Sequence, residues 1–85
     1  MGFDEMMDML SEEIKEDIIN FEEGRLEGFK DESLNGKDAI RVTIGRFLTT
    51  EEKETMKKNP HFVGVNSVWQ HRYAPEIKGS YFYVV

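Results

Sequence analysis

The sequence predicts an α+β fold: a three-stranded antiparallel sheet with an acidic N-terminal helix and a short crossover helix packed on one face. Three observations lead there. Apolar residues recur at three- and four-residue steps from Phe3 to Phe21, the spacing of one face of a helix. Three later stretches alternate apolar with polar residues, or run apolar between turn signals, as strands do. A capping sequence, Thr49-Thr50-Glu51-Glu52, stands between the first two of those stretches and opens a helix there.

In the first element, Phe3, Met6, Met7, Leu10, Ile14, Ile18 and Phe21 make one apolar stripe. Asp4 is the expected N-cap, and acids in the first turn suit the positive end of the helix dipole. Gly24 is the expected stop. Glu22 and Glu23 in the last turn oppose the dipole, and Asp4/Asp8, Asp8/Glu12 and Glu12/Glu16 repel at four-residue spacing. The apolar stripe must therefore hold this helix. Residues 25–37 are compatible with a strand, a helical turn or a loop, with a turn signal at Asn35-Gly36. In residues 38–47, Ile40, Val42 and Ile44 alternate with Arg41 and Thr43 as a half-buried strand. The second helix runs from Thr49 through Lys58, and Asn59-Pro60 ends it. Residues 62–73 form the second strand, 74–79 a turn, and 80–85 the third strand.

The third strand, Ser80 to Val85, carries no charge and no Pro. At an edge it would invite aggregation. A right-handed strand-helix-strand crossover leaves room for it in the centre, so the expected sheet order is first, third, second.

Eighty-five residues make one domain and no second. Ile, Leu, Val and Phe number 22, enough for a packed core. Without Cys there is no disulfide framework and no thiolate metal site. A cytoplasmic setting fits. The longest apolar run, Tyr81 to Val85, is too short to span a bilayer, and the acidic N-terminus is unlike a signal peptide. Charge is uneven. Residues 1–24 hold nine acids and one base, and residues 25–85 hold eight acids and ten bases. Such a chain is not expected to bind nucleic acid directly, but its N-terminal part suits a basic protein surface.

No catalytic, phosphate-binding or metal-binding motif is present. His61 and His71 match no ligand spacing, and no acid sits in an apolar run that would raise its pKa. Catalytic, metal and cofactor sites are therefore expected to be none. Two contact surfaces are expected. Asp8, Glu12, Glu13, Glu16 and Asp17 lie on the first helix, where carboxylates along a rigid rod can imitate a phosphate backbone. Strand alternation puts Trp69, His71 and Tyr73 with Val63 and Val65, and Tyr81 with Tyr83, on a sheet face away from the helices. Such rings are typical of interfaces.

The expected function is non-enzymatic: a small acidic protein-binding module that inhibits or regulates a partner with a basic surface. One concrete version is a virus-encoded inhibitor of a nucleic-acid-processing or host-defence enzyme. The aromatic face, with Trp69, Tyr73, Tyr81 and Tyr83, would add a second contact or a homodimer interface. The alternative is a self-assembling or small-ligand module. There the sheet face holds a nucleotide-like molecule, with Arg41, Trp69, His71 and Arg72 around it. An enzyme built on His71 and a Tyr ranks last.

Overall fold

The computed structural model describes residues 2–85. Its elements are α1 (Phe3–Met9), α2 (Glu12–Glu16), β1 (Ile18–Arg25), β2 (Asp38–Ile44), α3 (Thr50–Lys57), β3 (Phe62–Gln70) and β4 (Lys78–Val84). The four strands form one antiparallel sheet in the order β1-β2-β4-β3. The α+β class and the antiparallel sheet match the sequence reading. The three-stranded count does not, because a fourth strand lies outside β2.

That strand comes from the segment read as the second half of one helix. The helix breaks at Leu10 and Ser11, both extended, and Ser11 caps α2 by accepting a hydrogen bond from the Ile14 N–H at 3.3 Å. Ser11-Glu12-Glu13, a capping residue followed by acids in the first turn, is itself a helix-start signal. From Ile18 onward the chain pairs with β2, Phe21 opposite Val42 and Glu22 opposite Arg41. Pairing removes Glu22 and Glu23 from the negative end of a helix. A register shift between Ile18 and Asn20 lets Ile18 and Phe21 both face the core at three-residue spacing. That spacing is why the segment imitates a helix in sequence. The N-cap of α1 is Gly2 rather than Asp4, which sits in the first turn.

The connection from β1 to β2 is an ordered loop. Asn35 exchanges two hydrogen bonds of 2.9 Å with the backbone of Phe29, and Gly36 adopts a left-handed φ of 86°. Asp31 accepts from both the backbone and the hydroxyl of Ser33, which holds its carboxyl below the ordinary carboxylate value.

All three helices cover one sheet face. Met6, Leu10, Ile14, Leu48 and Met56 meet Val42, Ile44, Phe62, Val65, Phe82 and Val84 in one core cluster. Val42, Ile44 and Phe82 are completely buried, and burial of each such side chain contributes about 1.5–3 kcal/mol. Val65 belongs to this face, not to that of Trp69, because the register shifts between Val63 and Ser67. Gly64, at φ 70°, makes that bulge. Strand β4, with its uncharged run from Ser80, lies between β2 and β3, so its backbone is paired on both sides.

Candidate functional site

The acids of the N-terminal segment are distributed over α1, α2 and β1 rather than along one rod. Asp8 lies on α1, Glu12, Glu13 and Glu16 on α2, and Asp17 caps the end of α2. The phosphate-like rod expected from the sequence is therefore replaced by two short helices meeting at Leu10. Glu12 pairs with Lys15 at 3.3 Å, Asp17 with Arg46 at 2.6 Å, and Glu22 with Arg41. Among the described residues, Asp4, Glu5, Asp8, Glu13, Glu16 and Glu23 have no ion-pair partner. All are exposed.

Arg46 is committed to the fold. Its Nε donates to Asp17, and its two terminal nitrogens donate to the two carboxylate oxygens of Glu52 at 2.7 and 2.9 Å. Fork-to-fork pairing of this kind is the strong form of the ion pair. It raises the guanidinium pKa further above its already high value, chiefly through Glu52. It also holds the Glu52 carboxyl at about 2, with the Arg46 hydrogen bonds as the largest cause. Glu52 additionally accepts from the Thr49 N–H, and Thr49 accepts from the Glu52 N–H, which completes the capping box expected from the sequence. Asp17 is thus a structural acid that ties α2 to the start of α3.

Between α2 and α3 the helical layer is open. A cleft of about 530 Å³ runs along α3. Its apolar lining comes from Met9, Leu10, Ile14, Met56 and Phe62, and its acidic lining from Glu13, Glu51 and Glu52. Arg46, with Asp17 and Glu52, bridges the α2 and α3 sides near the start of α3. Asn59, whose amide donates to the Met9 sulfur at 3.5 Å, joins the segment after α3 to the end of α1. This cleft was not legible in the sequence, because it depends on how far apart the helices settle on the sheet.

The opposite sheet face carries the aromatic residues. Tyr81 and Tyr83 meet edge to face at 5.9 Å, Phe29 from the β1–β2 loop packs edge-on against Tyr83 at 5.7 Å, and the Arg41 guanidinium lies 5.9 Å from the Tyr81 ring. Trp69 crosses Gly79 to donate from Nε1 to the Ile44 carbonyl at 3.0 Å, so one ring links β3, β4 and β2. Trp69, Tyr81, Tyr83 and Arg41 are each only half-buried.

Tyr73, His71 and Arg72 are not on this face. Strand β3 ends at Gln70, and these residues belong to the following loop. Tyr73 is 83% exposed. The His71 Nδ1 accepts from the backbone N–H groups of Tyr73 and Ala74, both at 3.1 Å, so this imidazole caps a turn. Arg72 lies over the Tyr73 ring at 5.7 Å. The expected grouping of Arg41, Trp69, His71 and Arg72 is therefore split between the sheet and the loop. The other histidine, His61, contacts the Val85 carbonyl through Nδ1 at 2.8 Å.

Among the described residues, no three His, Asp or Glu side chains are placed to hold a metal ion together, and no helix is long and apolar enough to cross a membrane. Comparison with protein-family models, curated proteins and solved structures finds no match.

Proposed function

We propose that this chain is a non-enzymatic protein-binding module that engages a basic surface on its partner and thereby inhibits or regulates it. The observation that supports this reading is the set of six exposed N-terminal carboxylates left without ion-pair partners. Their mutual repulsion costs stability, and a cationic surface would relieve it. Complementary charge also speeds encounter and selects among partners. Nucleic-acid-processing and host-defence enzymes with basic grooves are a natural partner class for such a surface. A virus-encoded inhibitor is the concrete version.

The test is affinity capture from nuclease-treated cell extract, with wild type beside an Asp8→Lys/Glu12→Lys/Glu13→Lys/Glu16→Lys variant. Asp17 stays unchanged because it anchors Arg46. The expected result is a basic protein retained by wild type at low salt, released at high salt and not retained by the variant. Raising salt from about 0.1 to 1 M shortens the screening length from about 10 to 3 Å. Retention that ignores both salt and charge reversal would refute the reading.

The second reading is a self-assembling or small-ligand module, favoured by the half-buried rings of Trp69, Tyr81 and Tyr83 beside Arg41. Stacking of a planar molecule there would quench Trp69 fluorescence and leave the charge-reversed variant fully competent. Without quenching by any nucleotide, and with a monomer at high concentration, this reading fails.

A further inference from the structure

We infer that the cleft between α2 and α3 is the seat of the partner, and that the segment it takes is a basic amphipathic helix. This rests on the acidic protein-binding reading above and names the place and the chemistry of contact. Three features carry it. The cleft lining includes apolar side chains, Leu10, Ile14, Met56 and Phe62, that already belong to the core. Its lining acids, Glu13 on α2 and Glu51 on α3, have no ion-pair partner among the described residues, whereas its one base, Arg46, is already consumed by Asp17 and Glu52. The unpaired charge offered to an occupant is therefore negative. Finally, Arg46 ties the end of α2 to α3 through Asp17 and Glu52, and Asn59 ties the segment after α3 to Met9 at the end of α1, so the walls of the cleft are joined without a partner.

The dimensions fit one helix segment. The eight residues of α3 span about 12 Å at 1.5 Å per residue. That length matches two apolar side chains one or two turns apart on a docked helix, the usual mode of helix-in-groove recognition. Lysines or arginines on the flanks of such a helix would reach Glu13 on one side and Glu51 on the other. Glu12, Glu16 and Asp8 lie just beyond and would add steering at longer range. An acidic helix would be repelled, so the cleft selects by charge as well as by shape.

The probe is a synthetic Leu/Lys peptide of about four helical turns, with its leucines at three- and four-residue spacing. A scrambled peptide of the same composition and a Leu/Glu counterpart serve as controls. Each is titrated at low salt into the isotopically labelled full chain and followed by amide chemical shifts. The amphipathic Lys peptide is expected to move the amides of Leu10, Ile14, Thr55 and Met56, and to bind about ten-fold more tightly than the scrambled one. Thr55→Trp places a large ring in the cleft from an exposed position of α3. It is expected to weaken the amphipathic peptide about ten-fold or more and to leave the scrambled peptide unchanged. A Glu13→Lys/Glu51→Lys variant, which adds no bulk, checks the same site if the Trp variant melts early, and should also lose the peptide.

Equal binding of the amphipathic and scrambled peptides, or indifference to both variants, overturns the cleft while leaving the electrostatic reading intact. Shifts centred on Trp69, Tyr81 and Tyr83 overturn it in favour of the sheet face. Binding of the Leu/Glu peptide overturns the charge selection. Failure of both Lys peptides to bind sinks the cleft and the acidic-module reading together.

Discussion

Replacing Gly79 by Ala tests the packing of Trp69 across the sheet. Gly79 pairs with Trp69, and the indole lies directly over it to reach the Ile44 carbonyl. A methyl group at Gly79 would stand 2.0 Å from that carbonyl oxygen, 2.8 Å from Trp69 Nε1 and 2.9 Å from Trp69 Cε2. Side-chain carbons essentially never come within 3.0 Å of such atoms, so strand β2 or β4 must move by about 1 Å and the indole must leave. Overpacking of this kind costs about 1–3 kcal/mol, and the lost indole hydrogen bond adds about 1 kcal/mol. A total near 3 kcal/mol corresponds to a fall in Tm of about 12–24 °C for a domain of this size. The assay is thermal and urea unfolding followed by circular dichroism. Gly24→Ala is the control, since nothing lies within 4 Å of a methyl group there. It should stay within about 0.5 kcal/mol of wild type. Trp69→Ala in the Gly79→Ala background should not rescue stability, because the clash with the Ile44 carbonyl remains. A Gly79→Ala protein as stable as the control, or full rescue by Trp69→Ala, would refute the reasoning.

Three further outcomes follow from the same contacts. Glu52 has a folded-state pKa lowered from 4.5 to about 2, so its contribution is complete above pH 4.5 and lost as pH falls toward 2. The Tm difference between wild type and Glu52→Gln should therefore shrink across that window, and a difference constant down to pH 2 would contradict the Arg46 clamp. Trp69→Phe keeps a ring over Gly79 and removes the bond to Ile44, so urea unfolding should show a loss of about 1 kcal/mol; no loss would place the indole N–H in water. Thr49→Ala removes the cap of α3 and should cost about 1 kcal/mol, read by denaturant midpoint at unchanged slope; an unchanged midpoint would mean the helix start is held by Arg46 and Glu52 alone.

Much of the fold was legible because its causes are local. The capping box of α3 depends on four consecutive residues, and the structure forms it as read. The strands β2, β3 and β4 announce themselves by alternation, and the uncharged run of β4 demands a position between neighbours. The excess of carboxylates over residues 4–23 is a plain property of the chain, and their exposure follows from it. Only tertiary contacts decided the remainder. Residues 18–25 have a helical spacing of apolar groups, yet a free edge of β2 offered paired backbone and a core site for Phe21, so a strand resulted. The bulge at Gly64 turned Val65 inward, and the end of β3 at Gln70 released His71 and Tyr73 from the aromatic face. Asp17 and Arg46 stand 29 residues apart, and only the folded chain brings them to 2.6 Å. The cleft along α3 is likewise a matter of spacing between packed elements, which no single stretch of sequence encodes. Periodicity records what each segment prefers alone, whereas pairing, register and separation are set by what the other segments leave available.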